Sequence, residues 1–145
     1  MKKCITLVFV YCLGSLFLSF RIPTKEATAA KGIDFFKGTF QEALALAEKE
    51  QKYVFVEVYA TWCGPCKQLK RTTFKDKEVG VYFNKNFINI AIDGETEEGD
   101  KILSRYNIRS YPTLLILDAK GRVLTRQTGF MKPYILINFG RRVVP

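Results

Sequence analysis

The stretch YATWCGPCKQLK, residues 59–70, decides the fold, because it joins a predicted β-strand to a predicted α-helix. Residues 53–59, YVFVEVY, are mostly apolar on both faces, which is typical of a central strand covered on both sides. Gly64 and Pro65 then begin the helix, since proline suits the first turn, where no backbone donor is needed. The stretch therefore predicts a strand–turn–helix unit with two cysteines at the turn.

The first 29 residues have the three-part pattern of a secretory signal peptide. Two lysines precede a charge-free run at residues 4–20, and small residues at 27–29 resemble a cleavage site. We therefore predict a signal peptide at residues 1–29, a single folded domain at residues 30–145, and export to the periplasm or another extracytoplasmic compartment. The alternative is an uncleaved membrane anchor formed by residues 4–20.

Taken by themselves, Cys63 and Cys66 are compatible with a zinc half-site, a structural disulfide or a redox centre. The number of cysteines in the chain reduces these possibilities. Cys4 and Cys12 lie in the predicted signal peptide, and the chain has no histidine. A zinc site would need ligands beyond two thiolates, and a disulfide framework usually uses more cysteines and longer loops. The pair in its strand–helix context thus favours a redox centre, and we predict no bound metal.

The composition is that of a globular domain, with 48% hydrophobic and 26% charged residues. The formal net charge is +9, and basic residues are concentrated at Lys67, Lys70, Arg71, Lys75 and Lys77. Because this concentration lacks a nucleic-acid-binding motif, we interpret it as a solvated surface that can attract acidic partners, and we expect no nucleic-acid partner.

Hydrophobic periodicity and turn signals predict the remaining elements. They are a short strand or extended arm at 33–36, a helix from the capping box Thr39-Phe40-Gln41-Glu42 to about Glu50, a short helix capped by Asp76, a strand at 87–92, an acidic loop at 94–99, a helix near 101–105, a strand at 113–117, a hairpin turn at 118–121, a strand at 123–128 and a helix from Pro133. This order predicts a mixed sheet covered by helices.

Cys63 is the natural nucleophile of the pair, because a thiol attacks a disulfide only as the thiolate. It would lie at a helix N-terminus, where backbone N–H groups and the helix dipole stabilise negative charge. Cys66 lies about one turn further along, on a similar face of the helix, and is expected to be more buried. From there Cys66 can attack a mixed disulfide formed on Cys63 and release the partner.

Residues 58–69, VYATWCGPCKQL, resemble the active-site stretch of thioredoxin, and residues 106–114, YNIRSYPTL, are similar to the cis-proline segment of that family. The similarity takes in the turn at 118–121 and Gly129, and it covers residues 33–142. The resemblance implies an α/β, thioredoxin-like fold, in which a mixed central β-sheet is flanked by helices on both faces.

For the motif itself, the resemblance implies that Cys63 is the attacking thiol and Cys66 the resolving thiol. Trp62 would shield the site, while Gly64 and Pro65 would set the turn and tune the redox couple.

On the side opposite the motif, the resemblance implies that Pro112 is cis and faces the cysteines. This would leave the backbone of Tyr111 free to pair with an extended substrate strand, and Gly129 would let that substrate approach. Tyr111 departs from thioredoxin, which has a smaller aliphatic residue before this proline. A bulky neighbour of the cysteines is expected to change the redox potential and the choice of partner.

Glu57 is the only charged residue in YVFVEVY, and a carboxylate in such a strand is costly unless it is paired or protonated. It lies six residues before Cys63, where thioredoxins carry a buried acid that assists proton transfer at the resolving thiol. The functional hypothesis is a general acid/base for Cys66 with a pKa raised by burial, and the alternative is a carboxylate at a solvated end or face of the strand. Asn89 takes the position of the lysine that partners this acid in many thioredoxins.

These features predict an exported thiol–disulfide oxidoreductase that reduces protein disulfides as a monomer, binds no cofactor and receives electrons from a membrane donor. The Gly-Pro between the cysteines resembles that of the reducing members of the family. Two alternatives stay open: a disulfide oxidase or isomerase that uses the same pair, and a binding or holdase module in which the redox pair is incidental.

Overall fold

The computed structural model describes residues 32–145, so the predicted signal peptide, the membrane anchor, Cys4 and Cys12 lie outside the described residues. In chain order the elements are α1 (Phe40–Glu50), β1 (Tyr53–Tyr59), α2 (Gly64–Arg71), a 3₁₀ turn (Thr73–Lys75), α3 (Lys77–Asn86), β2 (Phe87–Asp93), α4 (Glu97–Tyr106), β3 (Thr113–Leu117), β4 (Val123–Thr128) and α5 (Pro133–Arg141). No helix within residues 32–145 is long and apolar enough to cross a membrane.

The four strands form one mixed sheet in the order β2-β1-β3-β4. β1 runs parallel to β2 and antiparallel to β3, and β3 forms an antiparallel hairpin with β4. The inner position of β1 explains its sequence, because all five residues from Val54 to Val58 are fully buried. The predicted mixed central sheet is confirmed.

Helices cover both faces of the sheet, as predicted. Val54, Val56 and Val58 pack with α1 and α4 in one apolar cluster. Phe55 points to the other face, where it packs with residues of α2, α3 and α5. Since side chains alternate along a strand, Glu57 lies on the same face of β1 as Phe55, beneath α2.

The N-terminal segment at residues 33–36 is an extended arm and not a strand of the sheet. Ile33 N–H donates to the carbonyl of Phe74, and Phe36 N–H donates to the carbonyl of Asn89 in β2, each at 2.7 Å. A single backbone hydrogen bond to β2 does not make a strand pairing. The order of elements therefore begins with α1, and not with a strand at residues 33–36.

Helix α4 begins at Glu97, so the second half of the predicted acidic loop is helical and the predicted start near Lys101 is wrong. The Thr96 hydroxyl caps the helix by accepting from Gly99 N–H at 3.1 Å. Glu97, Glu98 and Asp100 then lie in the first turn, where negative charge interacts favourably with the helix dipole. Acidic residues that looked like a loop are thus the start of a helix.

Two helix starts were predicted correctly from their capping residues. Thr39 and Glu42 form the capping box, with Thr39 N–H donating to the Glu42 carboxylate at 2.7 Å. Asp76 caps α3 by accepting from Glu78 N–H at 2.9 Å and from Val79 N–H at 3.0 Å.

Candidate active site

The candidate site lies at the carboxyl end of β1, where the chain turns into α2. Cys63 is the N-cap residue of α2, and its sulfur accepts from Cys66 N–H at 3.2 Å. This places Cys63 where backbone N–H groups and the helix dipole favour a thiolate, as predicted. Cys63 and Cys66 are joined in a disulfide with an S–S distance of 2.06 Å.

Both cysteines are nearly closed to solvent: Cys63 is 2% exposed and Cys66 is 1% exposed. Cys66 was expected to be more buried than Cys63, and in this oxidised form the difference between them is slight. Tyr111 packs against the two cysteines and meets the ring of Trp62 edge-to-face, with 5.9 Å between ring centroids. Trp62 itself is 65% exposed and flanks Tyr111 at the surface.

Tyr111 is seated against Gly94, a residue that the sequence did not single out for the site. A Cβ atom at Gly94 would collide with the phenol ring and hydroxyl of Tyr111. Gly94 N–H also donates to the carbonyl of Tyr59 at 2.8 Å, which fixes the end of β2 beside the end of β1. A glycine two residues after the predicted strand 87–92 was the only signal in the sequence that pointed to Gly94.

The cis-proline segment meets the cysteines through Tyr111. The peptide bond between Tyr111 and Pro112 is cis. Gly129 N–H donates to the Pro112 carbonyl at 2.8 Å, which holds these two predicted site residues together. Gly129 has a φ of +87°, and a Cβ atom there would meet nothing within 4 Å, so the space beside it is open.

The surface next to Cys63 is open on the side of the motif glycine and proline. Gly64 and Pro65 are both exposed at the first turn of α2. A Cβ atom at Gly64 would meet no atom within 4 Å. Together with exposed Trp62, they form an exposed rim beside Cys63.

Glu57 is fully buried, which makes the alternative of a solvated strand end wrong. Within residues 32–145 neither of its carboxylate oxygens has a hydrogen-bond partner. Burial raises the pKa of Glu57 to about 7, and the positive charge of Lys70 opposes that rise. A carboxyl with this pKa exchanges protons readily near neutral pH, which is the property required of a general acid/base.

Asn89 does not serve as a partner of Glu57. Its amide nitrogen donates to the Asp34 carbonyl at 3.3 Å and to the side-chain oxygen of Asn84 at 3.1 Å, so its hydrogen bonds connect β2 to the N-terminal arm and to α3. The cation that acts on Glu57 is Lys70 of α2, which the sequence placed only in the basic surface.

Within residues 32–145 no group of three or more His, Cys, Asp or Glu side chains is arranged to hold a metal ion.

Removing the Tyr111 ring is expected to expose the Cys63–Cys66 disulfide to reducing agents. We predict that dithiothreitol reduces the Cys63–Cys66 disulfide about fivefold faster in a Tyr111→Ala variant, because access to the attacked sulfur contributes to the exchange rate. Quenching with an alkylating reagent followed by mass spectrometry measures this rate. The control is Tyr134→Ala, which removes a 62% exposed ring from α5. An unchanged rate in Tyr111→Ala would show that this ring does not limit access.

Comparison with known proteins agrees with this geometry. The family model described as a thioredoxin-like domain matches residues 40–143. The chain is 30% identical over 98 residues to the thiol:disulfide interchange protein DsbD of Haemophilus influenzae, a match that covers 66% of this chain and 17% of that protein. The chain therefore spans about a sixth of the length of this curated relative.

Solved structures show the same similarity at the level of the fold. A Bacteroides thetaiotaomicron protein described as a candidate disulphide isomerase is 42% identical, with a TM-score of 0.67 over 75% of this chain and 90% of that one. The oxidised C-terminal domain of DsbD from Neisseria meningitidis is 25% identical, with a TM-score of 0.63 over 75% of this chain and 98% of that one. A thioredoxin from Thermus thermophilus shares the fold, with a TM-score of 0.69 at 23% identity over 77% of this chain and 87% of that one.

Proposed function

Because the chain belongs to the thioredoxin-like domain family, we propose that it is a thiol–disulfide oxidoreductase that reduces protein disulfides through Cys63 and Cys66. The observation that carries this proposal is the Cys63–Cys66 disulfide at the N-terminus of α2, with buried Glu57 on the strand beneath it. A structural disulfide has no need of a nearby carboxyl with a pKa of about 7.

The reaction proceeds in two exchanges. In the first, the Cys63 thiolate attacks one sulfur of the partner's disulfide, that bond breaks, and the other partner sulfur leaves as a thiolate and takes up a proton. In the second, Cys66 loses its proton and attacks the Cys63 sulfur, which releases the remaining partner sulfur as a thiolate. Two electrons pass from the dithiol to the partner, and the domain ends with the Cys63–Cys66 disulfide.

A dithiol donor must then reduce this disulfide before the next turnover. No separate cofactor is needed, because the cysteine pair carries both electrons. We place the domain outside the cytoplasm and its donor at the membrane, on the predicted signal peptide and on the similarity to DsbD, which is described as a thiol:disulfide interchange protein. Acidic surfaces on partners would suit the basic residues of α2 and the turn that follows it.

Partner trapping tests the proposal directly. A Cys66→Ala variant is expected to accumulate partners as mixed disulfides on Cys63, because the resolving thiol is missing. The double variant Cys63→Ala/Cys66→Ala is the control and should capture none. Partners that bind both variants equally would favour a binding module in which the redox pair is incidental.

The direction of electron flow needs a second measurement, since the similar Bacteroides thetaiotaomicron structure is described as a candidate disulphide isomerase. We expect a reduction potential of about −270 mV, as in thioredoxin, measured by equilibration with glutathione or dithiothreitol. A potential of about −180 mV would favour an isomerase, and one of about −120 mV would favour an oxidase.

A further inference from the structure

We propose that the Lys70 ammonium, held on the ring of Tyr59, is the counter-charge of the Glu57 carboxylate when that carboxylate takes the proton of Cys66. This makes Lys70 a positioning residue for the second exchange. The proposal rests on the proposed function. In many thioredoxins the lysine that partners the buried acid takes the position of Asn89 in β2, whereas here the cation is Lys70 of α2.

The side chains converge because two periodicities meet. Glu57 and Tyr59 are two residues apart on β1, so they point to the same face of the sheet. Cys66 and Lys70 are four residues apart on α2, which places them about one turn apart on the same side of the helix. Leu69, between them in sequence, is fully buried against the sheet, so this side of α2 faces β1.

The Lys70 side chain has a defined position in this arrangement. Its Nζ lies 3.1 Å from the centroid of the Tyr59 ring, and the residue is half-buried. Within residues 32–145 Lys70 has no salt bridge, since the ion pairs there are formed by other residues. The contact with the aromatic face holds the ammonium in place, and the attraction between a positive charge and a buried carboxylate is poorly screened.

Few other charges act on Glu57. Its strand neighbours are Ala91 in β2 and Leu114 in β3, which carry no charge. The buried side chains of α3 and α5 on this face are apolar: Val79, Phe83, Leu136 and Phe139. The other titratable groups on the same side are Tyr53, Tyr59 and Tyr82, with Asp93 opposite Tyr59 at the end of β2, and the two cysteines once the disulfide is reduced. Lys70 opposes the effect of burial on the pKa of Glu57.

The chemical step assigns each proton. In the mixed disulfide, the Cys66 thiol gives its proton to the Glu57 carboxylate and then attacks the Cys63 sulfur. The Cys63–Cys66 bond forms, the bond to the partner breaks, and the departing partner thiolate takes a proton from water or from the Glu57 carboxyl. Lys70 favours the carboxylate before this transfer, so more of the protein is ready to resolve at neutral pH.

The test compares Lys70→Met, which keeps an apolar stem over the Tyr59 ring, with Lys75→Met, which removes the same charge from an exposed position after α2. The probe is the ¹³C signal of the Glu57 carboxyl in the oxidised protein. We expect its titration midpoint to rise by about one pH unit in Lys70→Met and to stay at its wild-type value in Lys75→Met and Lys70→Arg. An unchanged midpoint in Lys70→Met, or an equal rise in Lys75→Met, overturns the proposal.

Single-turnover reduction of a disulfide peptide supplies the functional readout. At pH 7 we expect resolution of the mixed disulfide to be about fivefold slower in Lys70→Met than in the wild type, and at pH 9 we expect the two rates to be equal. This follows if the pKa of Glu57 rises from about 7 by about one unit, because fewer carboxyls are then ionised at pH 7 while nearly all are ionised at pH 9. In a Glu57→Gln background the Lys70→Met change should have no effect. If the wild type does not reduce the peptide, the proposed function fails, while the carboxyl titration still decides whether Lys70 acts on Glu57.

Discussion

A Cys63→Ser variant is expected to reduce insulin disulfides at least about a thousandfold more slowly than the wild type. A serine hydroxyl is not ionised at neutral pH, so the helix N-terminus that favours a Cys63 thiolate has no nucleophile to stabilise. Removing the attacking group of a catalytic unit typically costs several orders of magnitude in rate. The measurement is the turbidity of released insulin chains with a dithiol donor in excess, corrected for the reaction of the donor alone.

Thr61→Ser provides the matched control, because it places a serine two residues before Cys63 at an exposed position of the same loop. It should retain wild-type activity. The thermal unfolding of Cys63→Ser should be compared with that of the reduced wild type, since neither form contains the disulfide. A Cys63→Ser protein that unfolds like the reduced wild type and still reduces insulin would show that the activity does not pass through Cys63.

The parts of the fold that follow from local chemistry were predicted from the sequence. The strand Tyr53–Tyr59 is identifiable because an inner strand needs apolar side chains on both faces. The starts of α1 and α3 follow from Thr39 and Asp76, whose side chains satisfy backbone donors within three residues. Cys63 at the N-cap of α2 follows in the same way from the proline two residues later.

The features that could not be predicted from the sequence depend on tertiary contacts. The acidic run after Gly94 has no apolar periodicity at its start, so its helical part was assigned to a loop, although Thr96 caps it. Lys70 is one of five basic residues within eleven positions, and only the packing of α2 on β1 distinguishes it from the others. The contact between Gly94 and Tyr111 joins segments separated by the whole of α4, which no local pattern reveals.

The buried carboxyl of Glu57 is expected to make the oxidised protein less stable as pH rises. Its pKa is raised from 4.5 to about 7 in the folded chain, so between these values the unfolded chain has already released the proton that the folded chain still holds. The free energy of unfolding should therefore decline by about 3 kcal/mol from pH 4.5 to pH 7 through this group alone and stay level above pH 7. Glu57→Leu removes the group, so at pH 8 we expect it to stabilise the protein by about 3 kcal/mol.

Urea unfolding of both proteins at pH 5 and pH 8 measures this difference, with the Cys63–Cys66 disulfide intact so that neither thiol titrates. The informative quantity is the difference in unfolding free energy between the two proteins at each pH. Glu42 and Asp118 have lowered pKa values, so their contribution to stability is lost as pH falls, and it cancels in this difference because both proteins contain them. Glu48→Leu is the matched control: it removes an exposed carboxyl from α1 and should keep the wild-type change between the two pH values. If Glu57→Leu is no more stable than the wild type at pH 8, the ionised carboxylate carries no burial cost. A Glu57 without that cost would have a pKa near its ordinary value, and it would then be a poorly matched base for the Cys66 thiol.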